Sequence, residues 1–143
     1  MTEAPETIVG LLNANWNTSN HTPKPVIDEI WDVSSTNVLN SEYVLVYLAS
    51  LNHEYNTIEH GTRDTRAVVR IDLRSSKRGD PTTTSGVVSL KEEVERILHS
   101  VSKSVGSGWD WLKVISHVDL TDKSKQLYRQ VLEVELNKIG ENV

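Results

Sequence analysis

Apolar and charged side chains alternate along residues 66–74, and this stretch constrains the fold more than any other. The apolar set is Ala67, Val69, Ile71 and Leu73, and the charged set is Arg66, Arg70, Asp72 and Arg74. A period of two predicts a β-strand with one face against a core and the other facing water or a partner. The charged face is therefore interpreted either as a solvated face or as a subunit contact, because arginine is favoured at protein interfaces.

Length and composition indicate one domain with a lean core. The chain has 143 residues, so we expect residues 1–143 to form a single unit. Only 37% of the residues are hydrophobic and Phe is absent, which suggests that neighbouring subunits add to the burial. The net charge of −5 disfavours binding of nucleic acid by bulk electrostatics. No apolar run approaches the roughly 20 residues that span a bilayer, so no membrane partner is expected.

The first half of the chain predicts one helix and three strands. Residues 5–16 have the apolar spacing of an amphipathic helix. Two prolines precede residues 26–33, which predicts an edge strand in which Trp31 packs. Residues 42–51 are apolar on both faces, which is typical of a central strand covered on both sides by helices or by another subunit. With residues 66–74 they predict a hairpin whose long polar tip spans residues 52–64.

The second half predicts a loop, a helix and two strands. Residues 75–86 contain no apolar side chain, so we expect this loop to be mobile or ordered by a partner. Ser89 and Glu92 have the spacing of a capping box at the start of a helix that ends near Gly106 and Gly108. Its apolar stripe consists of Leu90, Val94, Ile97, Leu98, Val101 and Val105. Residues 112–120 and 127–139 alternate as strands. In the first of these strands the alternation places Leu112, Val114, Ser116, Val118 and Leu120 on one face and Lys113, Ile115, His117 and Asp119 on the other. The order α-β-β-β-α-β-β predicts an α+β domain with one mostly antiparallel or mixed sheet of about five strands and two flanking helices.

No reaction chemistry is indicated by the sequence, and we expect neither an enzyme nor a cofactor. A metal site could draw on four clustered side chains: His53, Glu54, Glu59 and His60. Their spacing matches no established site, and a polar hairpin tip explains them equally well, so no metal is expected. The remaining histidines are His21, His99 and His117, and nothing near them in sequence completes a catalytic triad.

Several segments together resemble a known family. They are residues 25–32 (Pro-Val-Ile-Asp-Glu-Ile-Trp-Asp), 43–47, 59–64, 69–74, 111–116, 119–124 and 127–136 (Leu-Tyr-Arg-Gln-Val-Leu-Glu-Val-Glu-Leu). They resemble the tail terminator, or tail completion, proteins of long-tailed viruses of bacteria and archaea. The resemblance covers residues 25–137.

The resemblance implies a subunit of a hexameric ring in the neck of the virion, assembled in the host cytoplasm. Its expected partners are further copies of itself, the tail tube protein and the head connector or stopper, with DNA passing through the lumen. A head-side stopper or adaptor is the alternative within the same class, and a small cellular metal- or ligand-binding domain is the alternative outside it. A closed ring of this kind needs two different patches on each subunit. The expected subunit or partner contacts are Arg63, Arg66, Arg70, Asp72, Arg74, Lys77 and Arg78.

Overall fold

The computed structural model describes residues 3–29, 42–57, 61–125 and 127–142. Its elements are α1 (Ala4–Asn15), β1 (Val26–Glu29), β2 (Tyr43–Thr57), β3 (Thr62–Ser75), α2 (Val87–Ser100), β4 (Trp111–Asp119) and β5 (Tyr128–Asn142), with a short 3-10 turn at Lys123–Lys125. The predicted α+β class and the predicted order of elements are confirmed. Trp31, Glu59, His60 and the end of the predicted first strand lie outside the described residues.

The five strands form one mixed sheet in the order β1-β2-β3-β5-β4. β1 runs parallel to β2, and the other neighbours are antiparallel. The predicted hairpin of β2 and β3 is confirmed, but its predicted long tip is wrong. Pairing continues to Thr57 opposite Thr62, because the polar residues of both arms hydrogen-bond across the hairpin as strands.

One face of the sheet carries both helices and the core. α1 packs against β1 and β2, and α2 packs against β3, β4 and β5. The buried side chains of the helices include Ile8, Leu12, Leu90, Val94, Ile97 and Leu98. The apolar set of β3, Ala67, Val69, Ile71 and Leu73, is fully buried beneath them, as its alternation predicts.

Described helices cover β2 on only one of its two faces. Val44 and Val46 lie under the helices, whereas Leu45 lies on the opposite face, over which no described helix packs. Leu48 follows on the helix side and is half-exposed. Leu45 is nonetheless buried within one chain. Cover of this face by another subunit, the other predicted alternative, stays a prediction.

The predicted capping box of α2 is wrong. The helix begins at Val87 after Gly86, and no side chain caps its first turn. The backbone carbonyls of Lys77 and Arg78 instead accept hydrogen bonds from the N–H groups of Val87 and Val88. α2 ends at Ser100, earlier than the predicted glycines, and the N–H of Val101 closes its last turn.

Residues 76–86 are ordered by their own chain, which corrects the expectation of mobility or of a partner. Beyond the two bonds to α2, the carbonyl of Thr84 accepts from the N–H of Thr22. Gly79 and Gly86 cross so closely that a Cβ on Gly86 would lie 2.7 Å from the carbonyl carbon of Arg78.

Neither described helix is long and apolar enough to cross a membrane.

A β-bulge corrects the predicted faces of β4. Val114 pairs with Val134 on the helix side, but the next paired residue, Ser116, lies opposite Glu133 on the other face. The extra residue is Ile115, and it reverses the alternation. Ser116 and Val118 therefore face away from the helices, although Leu112 and Val114 face toward them.

Candidate functional site: the charged face of the sheet

The face of the sheet opposite the helices carries most of the predicted contact residues. We call it the charged face, and from β3 it displays Arg66, Arg70, Asp72 and Arg74. β5 adds Arg129, Glu133 and Glu135 in register with them. Strand alternation thus brings together basic residues of β3 and acidic residues of β5 that lie about sixty positions apart in the sequence.

Asp72 is the centre of the charged face and has no exposed side-chain surface. Nη2 of Arg129 lies 2.8 Å from its Oδ2, and Nη2 of Arg74 lies 3.1 Å from the same oxygen. Arg74 and Arg129 are directly opposite each other on neighbouring strands. Two like charges in such positions repel, so Asp72 between them is what makes the pairing favourable. The hydrogen bond to Asp72 also raises the pKa of Arg129.

Arg66 and Arg70 pair with the two glutamates of β5. Nε of Arg66 donates to Oε1 of Glu135 at 2.7 Å, and Nε of Arg70 lies 3.6 Å from Oε2 of Glu133. Burial by itself raises the pKa of Glu135, but hydrogen bonds from Asn137 and Arg66 outweigh burial, so its pKa lies below the usual value. The charges of this face are therefore largely paired within one chain, and the face is compatible with water.

Arg63 lies on the other side of the sheet, at the end that the helices do not reach. It hydrogen-bonds the side chains of Tyr55 and Glu141. Thr65, which is almost fully buried, donates to Glu141 and lies 2.9 Å from Nδ1 of His53. Arg63 thus belongs to a separate polar cluster of the hairpin and does not share a surface with Arg66 and Arg70.

Lys77 and Arg78 lie at the opposite end of β3, in the segment that leads to α2. Their carbonyls hold the start of α2, and Lys77 also lines a cavity of about 250 Å³. The cavity lies between this segment and the start of β1, and its lining includes Lys24, Glu42 and Ser75. The predicted contact residues therefore form three separate groups and not one patch.

Of the four candidate metal ligands, Glu59 and His60 lie outside the described residues, so the structure places only His53 and Glu54. His53 and Glu54 are neighbours on β2, so their side chains point to opposite faces. Residues 3–29, 42–57, 61–125 and 127–142 contain no group of three or more His, Asp or Glu side chains placed to hold a metal ion.

The structure also contains a buried Ser–His–Glu chain that the sequence interpretation missed. Nδ1 of His21 lies 2.6 Å from Oγ of Ser89, and Nε2 of His21 lies 2.8 Å from Oε1 of Glu42. A catalytic serine must be reachable by substrate. Here His21 is fully buried and Ser89 is 4% exposed. The two hydrogen bonds of His21 therefore attach the segment after α1 to α2 and to the start of β2. The three residues are remote in sequence, and no local pattern links them.

Exposed apolar side chains concentrate at the two lateral edges of the sheet. One edge, the β1–β2 edge, consists of β1 and of β2 beyond Val46; the other, the β4 edge, consists of β4 and Leu120. Among the described residues, eight large hydrophobic side chains are between 39% and 63% exposed. Seven lie at these edges: Val26, Leu48, Leu51 and Tyr55 at the β1–β2 edge and Ile115, Val118 and Leu120 at the β4 edge.

The described surface of the chain thus divides into a paired charged face, a helical face and two apolar edges. Such a surface is suited to contacts along the edges, because exposed apolar strands at a sheet edge are sites of association. No protein-family model matches the chain, and no curated protein sequence matches it either.

Proposed function

We propose that the protein is a structural subunit of a ring in the neck of a tailed virus particle. The ring caps the tail tube and joins it to the head connector, and its partners are other copies of the chain, the tail tube protein and the connector or stopper. The family resemblance of residues 25–137 supports this assignment. DNA would pass through the lumen of the ring.

The distribution of exposed apolar side chains carries the proposal on the structural side. A cyclic ring is built from heterologous contacts, so each subunit must offer two different patches. The β1–β2 edge and the β4 edge are two different apolar patches on opposite sides of one sheet. A lean core also agrees with a subunit that buries more surface on assembly.

We propose that the charged face stays in contact with water in the ring, or binds a partner only weakly. Its arginines are already paired with Asp72, Glu133 and Glu135, so no second subunit is needed to neutralise them. Arg70 is the most informative of them, because its side chain is 47% exposed and its distance of 3.6 Å to Glu133 is longer than those of the other arginine ion pairs of this face. We expect Arg70→Glu to leave ring formation unchanged. A loss of rings in this variant would mean that the charged face is part of the contact between subunits.

The decisive experiment is native mass spectrometry of the purified chain, followed by electron microscopy. Rings of six subunits that bind purified tail tubes support the proposal. A chain that is strictly monomeric and absent from virus particles overturns it, and a monomer that takes up stoichiometric metal supports a cellular metal-binding domain instead. The ring that contacts the tail tube in a virion reconstruction distinguishes a terminator from a stopper.

A further inference from the structure

We propose that the cavity beside the start of β1 binds a small molecule through an oxyanion group, either a phosphate or a carboxylate. The cavity has a volume of about 250 Å³ and lies between residues 23–26, Glu42 and the segment that follows β3. Binding here would be independent of the proposed ring, because the site is built within one chain.

Hydrogen bonds between backbone groups hold the walls of the cavity in place. The N–H of Thr22 donates to the carbonyl of Thr84, which joins the segment before β1 to the segment after β3. The N–H of Val26 donates to the carbonyl of Glu42. Two of the lining residues are prolines, whose φ angles are fixed. The cavity is therefore formed before a ligand enters, and little loss of backbone entropy opposes binding.

The described lining offers hydrogen-bond donors that are available to a ligand. Lys24 and Lys77 are exposed, and neither forms an ion pair with a described residue. Ser76 and Ser85 add two hydroxyl groups that make no hydrogen bond to a described residue. An ammonium group can only donate, whereas a hydroxyl group can donate and accept.

Glu42 is the acidic residue of this lining, and its carboxylate is already engaged. Its Oε1 lies 2.8 Å from Nε2 of His21, and its Oε2 accepts from the N–H of Gly86 at 3.2 Å. Burial raises the pKa of Glu42, but hydrogen bonds from His21, Ser75 and Gly86 outweigh burial, so its pKa lies below the usual value. The two lysines of the lining thus exceed its single negative charge, which is held by groups of the chain itself.

These groups together favour an oxyanion over other ligands. Phosphate and carboxylate oxygens accept strong, charge-assisted hydrogen bonds from ammonium groups, and hydroxyl groups donate to them as well. A metal ion or a basic ligand would instead lie beside two lysines. Sites for drug-sized ligands have volumes of about 300–1,000 Å³, so a smaller molecule suits this cavity.

The test is a titration of the unmodified chain with inorganic phosphate and with acetate, at constant ionic strength, followed by NMR of the backbone amides. We expect the amide signals of residues 75–77 and 85 to shift with a dissociation constant of about 1 mM or lower for one of the two anions. The signals of residues 53–55 in the hairpin should not shift. Tighter binding of phosphate identifies a phosphate ligand, and tighter binding of acetate identifies a carboxylate ligand.

Lysine variants identify the groups that hold the anion. Lys24→Gln and Lys77→Gln each remove one charge-assisted hydrogen bond, so we expect each to raise the dissociation constant about tenfold. Lys103→Gln is the matched control, since Lys103 is also exposed but lies outside the lining, and it should change the constant less than about twofold. Thermal unfolding in chloride identifies any variant that does not fold. Ser76→Ala then tests the same site, with an expected rise of about threefold.

Two outcomes would overturn the proposed anion site. One is an unmodified chain whose signals respond to neither anion at about fiftyfold the expected dissociation constant. The other is equal weakening in all three lysine variants, because the anion would then only screen the charge of the chain. Neither outcome bears on ring formation, so the proposed function would stand, and a monomeric chain that binds phosphate would lose the ring and keep the site.

Discussion

Asp72 has no exposed side-chain surface and is bound through both carboxylate oxygens by Arg129, from a strand fifty-seven positions further along the chain. Arg74, which lies on β3 together with Asp72, donates to the same carboxylate. A buried carboxylate is tolerable only when it is paired and hydrogen-bonded. The two arginines meet this condition, and Asp72 in turn allows them to lie opposite each other.

Neutralising Asp72 is expected to destabilise the fold strongly. Asp72→Asn leaves Arg74 and Arg129 without a counter-charge, and loss of one member of a buried ion pair costs about 3–5 kcal/mol. Urea unfolding followed by circular dichroism measures the change. Glu133→Gln is the control, since Glu133 pairs with half-exposed Arg70 at 3.6 Å and its loss is expected to cost less than about 1 kcal/mol. Equal losses of unfolding free energy in Asp72→Asn and Glu133→Gln would contradict the difference expected between a buried and a partly exposed ion pair.

Glu93 is expected to matter more than its neighbour Glu92, although Glu92 is the residue that the capping-box pattern selects. Glu93 is buried, and its carboxylate accepts from the N–H of Asn17 at 2.7 Å and from the side chains of Asn20 and Arg96. Glu93→Ala leaves these donors without an acceptor, and it is expected to lower the free energy of unfolding by about 1–3 kcal/mol. Glu92→Ala removes an exposed side chain and is expected to change stability by less than about 0.5 kcal/mol, so a reversed order in chemical denaturation would refute the assignment.

The pKa shifts of Glu42 and Glu93 predict a loss of stability in acid. Burial raises both pKa values, but hydrogen bonds, from His21 to Glu42 and from Arg96 to Glu93, outweigh burial and leave both below the usual value of 4.5. A carboxyl group whose pKa is lowered by folding stabilises the fold above its unfolded pKa, and this contribution is lost as the pH falls through the folded pKa.

We therefore expect the free energy of unfolding to stay level down to about pH 5 and to fall steeply below about pH 4.5. Urea titrations between about pH 7 and pH 3 measure this dependence. Glu93→Gln removes one of the two groups, so its stability should fall less steeply in acid. The same slope in the variant and the unmodified chain would exclude Glu93 as a source of the acid sensitivity.

Gly86 is expected to reject a side chain. Its φ of 94° is a backbone conformation that favours glycine, and an added Cβ would lie 2.7 Å from backbone atoms of Arg78 and Gly79. Gly86→Ala should lower the unfolding temperature by several degrees, corresponding to about 1–3 kcal/mol.

Gly10→Ala is the matched control, because Gly10 is exposed within α1 and a Cβ there would meet nothing within 4 Å. It should raise stability by about 0.5–1 kcal/mol through helix propensity alone. Calorimetry of both variants measures the contrast, and a tolerated Gly86→Ala would mean that residues 79 and 86 do not cross as described.

The alternation of residues 66–74 by itself determined the most important layer of the fold. Ala67, Val69, Ile71 and Leu73 had only one way to be buried together, because side chains of a strand alternate between its faces. The helical spacing of Leu90, Val94 and Ile97 was equally decisive for the core side of α2. These periodic patterns depend on local geometry, so the sequence suffices to interpret them.

Tertiary structure decided which polar residues meet. Ser89 has the spacing of a helix cap, yet its hydroxyl contacts His21, which lies 68 positions away in the sequence. The predicted face of Ser116 reversed because the bulge at Ile115 was accommodated by pairing with β5, a constraint that no local pattern contains. The alternation likewise assigns Asp72 to the charged face. Asp72 is part of a buried ion pair only because Arg129 on β5 contacts it across the sheet. Periodicity assigns a side chain to a face, but its partner on that face depends on the register of a distant strand.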